Sequence, residues 1–175
     1  MMKRLKLTVL MLACVFAASA QEDESKGYIV SVGDMAPDFV VKLDDGRSVQ
    51  LSSLRGKVVM LQFTASWCGV CRKEMPFIEQ EIWQKHKFNP NFVLIAIDRE
   101  EPLEKIITFK ESLGVTYPIG LDLHADIFTL FAQRNAGITR NVIIDESGKI
   151  VFLTRLFYQE QFDQMCRLID VMLKN

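Results

Sequence analysis

Cysteine, histidine and surplus charge are all scarce in this chain. Four cysteines among 175 residues are too few for a scaffold held together by disulfides. The two histidines, His86 and His124, stand at no recognised metal-ligand spacing. A formal net charge of −1 excludes a binder drawn to nucleic acid by charge. Beyond the N-terminus no apolar run approaches the roughly 17 residues needed to span a membrane. Repeats, low-complexity segments and interior linkers are also missing. What is present, 49% apolar and 25% charged residues, suits one globular domain with a core of its own.

The first twenty residues read as a leader rather than as part of that domain. Lys3, Arg4 and Lys6 form a positive start, Leu7 to Ala18 a short apolar core, and Ala18-Ser19-Ala20 an A-x-A cleavage site before a polar run. Met11-Leu12-Ala13-Cys14 loosely resembles a lipobox, which would instead anchor the chain through Cys14. The unusual Met at its first position and the downstream A-x-A site favour cleavage after Ala20. The expected organisation is a signal peptide over 1–20, a tail over 21–32 and a folded domain over 33–175. Losing three basic residues and no acid leaves 18 basic against 22 acidic side chains, a mildly acidic, soluble, exported protein.

Export changes how the remaining cysteines are read. Cys68, Cys71 and Cys166 survive cleavage, and in an oxidising compartment Cys68-Gly69-Val70-Cys71 offers a pair by proximity. Two intervening residues make a tight loop. At a helix N-terminus the dipole and free N–H groups would stabilise a thiolate and lower the pKa of the first cysteine. Such a motif is also half of many zinc sites, but no second CxxC follows.

The flanks supply the required strand and helix. Lys57–Phe63 is a β-rich apolar run, and Met75, Ile78 and Ile82 recur at helical spacing after the motif, with Pro76 expected to kink that helix. Phe39–Leu43 and Ser48–Leu51 predict a hairpin around Asp44-Asp45-Gly46. Phe92–Asp98 reads as the next buried strand. Pro102 opens a helix that Gly114 stops, Tyr117–Ile119 is a short extended piece, and a further helix is expected from about Ala125 to Arg134. Asn141–Asp145 and Lys149–Thr154 form a strand pair. A closing helix over 159–174 is expected to bury Phe162, Met165, Cys166, Ile169 and Met172. These elements make one mixed α/β domain.

A strand, a Trp-Cys-x-x-Cys turn and a helix with an internal proline resemble the thioredoxin superfamily. The entry Gly33-Asp34-Met35-Ala36-Pro37-Asp38-Phe39 looks like the redoxin (AhpC/TSA) group, and the element order resembles its exported TlpA/ResA-like branch over roughly residues 30–173. The resemblance implies a thioredoxin fold: a central mixed β-sheet flanked by helices, an N-terminal β-hairpin and an insertion before the final β-hairpin. It also implies thiol–disulfide exchange. Cys68 would be the nucleophile, Cys71 the resolving thiol and Trp67 a cover over the sulfurs, with Gly69, Val70 and Pro76 shaping the turn and helix. Partners would be disulfide-containing or dithiol proteins and a membrane electron donor. Members of the branch are commonly reductants, some serving cytochrome c maturation. No cofactor, metal or nucleic acid is implied, and a periplasmic monomer is expected.

Three positions depart from the family pattern. Gln62 stands where a buried, proton-handling Asp would be, and Glu101, with Glu100 beside it, is the candidate replacement; an exposed acid at a helix start is the plainer reading. Thr139 stands where a cis-proline would face the disulfide, and a cis bond before a non-proline residue costs about 2.5–4 kcal/mol, so trans geometry is expected there. The loop Ile138-Thr139-Arg140 would pair with substrate backbone, and Arg140 is read as a group beside the sulfurs or as a surface cation. Cys166 falls on an apolar stripe, where a free cysteine behaves as a small hydrophobe. Thr64 and Ser66 are candidates for local hydrogen bonds. A thiol peroxidase is the alternative enzyme, supported by Asp98-Arg99-Glu100-Glu101 and the arginine before Val142-Ile143-Ile144-Asp145. It would need Pro at position 61 and Thr at 65, where this chain has Leu61 and Ala65. A non-catalytic binding module would leave the Cys-x-x-Cys pair idle.

Overall fold

A computed structural model describes residues 27–174; the expected leader and its Cys14 lie outside the described residues. Seven strands form one mixed sheet in the order β2-β1-β5-β4-β3-β6-β7. β3 (Val58–Thr64) is its centre and is buried along its whole length. It runs parallel to β4 (Phe92–Arg99) and antiparallel to β6 (Arg140–Ile144). Covered on both faces, such strands read as unbroken apolar runs, and in β3 Gln62 interrupts the run before the closing Phe63 and Thr64. β5 (Ile119–Asp122) pairs parallel to β4. The hairpin β1 (Val40–Leu43) and β2 (Ser48–Gln50) extends that side, while β7 (Ile150–Arg155) closes the other. Both hairpins, β3 and β4 occupy their expected places to within a residue or two, while the short extended piece expected over 117–119 forms β5 further along, at 119–122. The sheet and its helices are those of a thioredoxin fold.

The two faces of the sheet are divided by strand alternation. Gln62 and Thr64 point toward α1 (Gly69–Ile78), where Thr64 Oγ1 meets Met75 Sδ at 3.3 Å. Phe63 points the other way, against Phe128 and Phe131 of α3 (Phe128–Phe131). On the first face α1 touches α2 (Leu103–Leu113) through Arg72 over the Phe109 ring, and α4 (Gln159–Met172) through Phe77 and Phe162. Gly114, at φ 64°, ends α2 in the left-handed conformation. After Ile78 the first helix continues as a π turn (Glu79–Trp83) and a last turn (Gln84–His86). The irregularity thus begins three residues past Pro76.

Three expectations need correction. The helix expected from Ala125 to Arg134 shrinks to four residues. The Asp122 carboxylate accepts from the N–H groups of Ile127 and Phe128 at 3.1 and 2.8 Å, which sets its start. At its end Ala132 turns extended and pairs with Tyr28, while Gln133 N–H donates to Gly27 O at 2.9 Å. That pairing also changes the reading of the tail. Tyr28 is buried, and its hydroxyl donates to Thr154 O at 2.7 Å, so the chain is built into the fold from at least that residue. In α4, Phe162, Met165 and Ile169 are buried, but Cys166 and Met172 sit half-buried at the stripe's edge.

Candidate active site

The C-terminal ends of β3 and β4 and the start of β6 meet at one edge, because β6 runs opposite to the other two. β3 delivers the cysteine motif there. Cys68 is the N-cap of α1, with extended backbone (φ −85°, ψ 106°), and its Sγ accepts from Cys71 N–H at 3.1 Å. The two cysteines form a disulfide with Cα atoms 5.3 Å apart. Cys71 is fully buried and Cys68 is 7% exposed, whereas Trp67 leaves 60% of its surface in solvent. The indole is therefore the part of the motif that an approaching molecule meets first. Gly69 is exposed and Val70 half-buried in the first turn.

The polar residues expected around the motif divide into two groups. Glu101 is buried and holds the loop before the motif: Ser66 N–H and Ser66 Oγ donate to its carboxylate at 2.5 and 2.6 Å. The structure therefore brings Ser66 and Glu101 together, and Glu101 is no exposed helix-start acid. Beside Glu101 lies Asp98, also buried; burial first, then the adjoining Glu101 charge, push its carboxyl up to about 8. Glu100 instead turns outward to Arg99 and Arg134.

Gln62 opens the second group. Its Oε1 accepts from Tyr117 Oη at 3.0 Å, and its Nε2 donates to Glu74 at 3.4 Å. Glu74 also accepts from Asn141 Nδ2 at 2.7 Å, and Asn141 donates in turn to Thr154 Oγ1. Burial dominates here, and despite both amide donors it pushes the Glu74 carboxyl up to about 7. Sequence reasoning missed this residue. Its signal was an acid three residues after Cys71, next to Met75 on the stripe that continues to Ile78, where a solvated residue has no place.

The loop before β6 reaches the sulfurs through Thr139, not Arg140. Thr139 Oγ1 lies 3.1 Å from Cys68 Sγ and 3.2 Å from Cys71 Sγ. Ile138 and Thr139 are both buried, and no cis peptide bond occurs among the described residues. Arg140, one residue on, must face the other side of the sheet. It is fully buried, its guanidinium sits 4.3 Å over the Tyr28 ring, and its Nε donates to Gly137 O at 2.9 Å. It is neither a surface cation nor a partner of the sulfurs. Among the described residues no group of three or more His, Cys, Asp or Glu is placed to hold a metal ion.

A buried cysteine pair at a helix N-terminus, on this sheet, agrees with what related sequences show. The model of the AhpC/TSA family matches residues 32–153. The chain belongs to the AhpC/TSA family. Within this family's reach, the thiol-disulfide oxidoreductase ResA of Geobacillus thermodenitrificans is 32% identical over 123 residues, which cover 69% of this chain and 67% of that one. A solution structure from Bacteroides thetaiotaomicron, assigned provisionally as a protein disulfide isomerase, is 66% identical with a TM-score of 0.83, covering 85% of this chain and 94% of the other. A Chlorobium tepidum crystal structure, assigned provisionally as the thiol:disulfide interchange protein DsbE, is 25% identical with a TM-score of 0.69, over 82% and 99% of the two chains. With its Cys68–Cys71 pair, this AhpC/TSA chain is a thiol–disulfide oxidoreductase.

Proposed function

We propose that this oxidoreductase reduces disulfides of exported proteins in the bacterial envelope, apocytochromes c or other proteins with cysteine pairs, and is itself re-reduced by a membrane thiol–disulfide donor. The observation that carries the reading is the Cys68 sulfur at the start of α1, accepting from Cys71 N–H, where a thiolate is favoured. In the reduced protein the Cys68 thiolate attacks one sulfur of a substrate disulfide. A Cys68–substrate disulfide forms and the other substrate sulfur leaves as a thiolate, which takes a proton from solvent. Cys71 then loses its proton and attacks Cys68. The Cys68–Cys71 disulfide forms, the second substrate thiolate leaves, and two electrons have passed to the substrate. Glu74 is the titratable group one helical turn from Cys71, and we assign it the resolving proton; Glu101 holds the motif in place. Export rests on the expected leader over 1–20. The peroxidase reading is weaker, because Arg140, the first residue of β6, lies against Tyr28, away from the sulfurs.

A redox titration in thiol/disulfide buffers, with free Cys68 and Cys71 counted by alkylation and mass, tests the direction. A midpoint at or below about −230 mV is expected of a reductant, and one near about −120 mV would make the protein an oxidant.

A further inference from the structure

One hydroxyl touches both reacting sulfurs. Strand alternation puts Thr139 on the same face as Asn141, toward α1, and its Oγ1 sits 3.1 and 3.2 Å from the two Sγ atoms while the residue is only 3% exposed. Disulfide sulfurs carry no hydrogen, so in this state the hydroxyl is the donor, its one hydrogen shared between the two sulfurs. Its backbone is fixed as well: Thr139 O accepts from Leu156 N–H at 3.1 Å, across to the end of β7. A proline at this position would offer the sulfurs no donor at all.

A disulfide sulfur is a weak acceptor and a thiolate a strong one, since hydrogen bonds to ionised groups are roughly twice as strong as neutral ones. The same hydroxyl therefore favours the reduced, ionised pair over the disulfide. We propose that Thr139 is a catalytic residue of this oxidoreductase, whose hydroxyl donates to the Cys68 thiolate in the reduced protein and thereby raises the redox potential of the pair. The proposal rests on the disulfide-exchange reading above. Because both sulfurs are within its reach, the hydroxyl can follow the negative charge. It donates to Cys68 before that sulfur attacks the substrate. It turns to Cys71 when that thiol has lost its proton and is about to form the Cys68–Cys71 bond and release the substrate thiolate.

The test compares the purified protein with Thr139→Val, which keeps the shape and removes the hydroxyl, and Thr139→Ser, which keeps the hydroxyl. Cys68 ionisation is followed by thiolate absorbance against pH, and the potential by titration in thiol/disulfide buffers. Thr139→Val is expected to make Cys68 about tenfold less acidic, one pKa unit, and the pair about 30 mV more reducing, the same tenfold in its equilibrium constant. Thr139→Ser is expected to stay within about threefold of the parent in both. Should Thr139→Val not fold, Thr139→Ala replaces it, with the same expectation. An unchanged Cys68 acidity, or a potential that stays put or moves the other way, overturns the proposal while leaving disulfide exchange intact. If the parent protein itself forms no Cys68–Cys71 disulfide across the range, the exchange reading falls and this one with it.

Discussion

Glu101 grips Ser66 twice, through the backbone N–H at 2.5 Å and the hydroxyl at 2.6 Å. Ser66 sits two residues before Cys68, so an acid from the loop after β4 fixes the approach to a motif carried by β3. Arg72 completes the frame, its Nε donating to Ser66 O at 2.7 Å. Replacing Glu101 by Ala would leave a partly buried N–H and hydroxyl without their acceptor, a loss of about 1–3 kcal/mol. Urea unfolding of Glu101→Ala should show that loss. In Glu101→Gln, which can still accept, most of it should be restored. Asp98 should also titrate lower in Glu101→Gln, because one cause of its raised value is the neighbouring charge; carboxyl NMR against pH reads this directly. An Asp98 value unmoved in that variant would mean that burial alone sets it.

Glu74 should matter to rate through its proton. Proton transfer by a placed side chain contributes at least about 10²-fold in typical cases, and Glu74 is poised near neutrality at about 7. Glu74→Gln keeps the carbonyl that Asn141 Nδ2 donates to and removes the titration. Disulfide reduction should slow by about that factor, and the limb of the pH–rate profile near 7 should vanish. A profile of unchanged shape would exclude Glu74 from the resolving step.

The same acid and Asp98 should tie folding stability to pH. Their folded values, about 7 and about 8, lie above the ordinary 4.5 and 3.8. The folded protein therefore holds these protons more tightly than the unfolded chain does. The stability they contribute is complete below their ordinary values and is lost as pH rises through 7 and 8. Urea midpoints should fall between about pH 5 and about pH 9. Glu74→Gln should flatten the part of that decline near 7, and an identical slope in the variant would contradict the assignment.

Cys166 should behave as a packed thiol. Burial is the main cause that pushes it up to about 11, against the pull of Lys85, so at neutral pH its thiolate is scarce and its reactivity low. In the reduced native protein iodoacetamide should label Cys68 well before Cys166. Cys166→Ala should exchange disulfides at the parent's rate. Fast labelling of Cys166, or lost exchange in the variant, would give it a redox part.

Much of this protein was determined by short-range pattern. An apolar run made β3, a two-residue spacing made the Cys68–Cys71 pair, and Asp44-Asp45-Gly46 made a hairpin, because each needs only neighbours along the chain. Tertiary structure alone decided the rest. Thr139 meets Cys68 across 71 residues of sequence, and Tyr28 meets Thr154 across 126. Which way Arg140 points follows from the register that pairs it with Phe63, since a shift of one residue exchanges the faces of a strand. The helix expected over 125–134 was cut short because the chain around Tyr28 pairs with Ala132. Glu74 shows the same division within one residue. Its place on a buried helical face was legible from spacing. Its raised proton affinity came from burial beneath β3, which outweighs the opposing hydrogen bonds from Gln62 and Asn141, two residues on strands that only the folded sheet sets side by side.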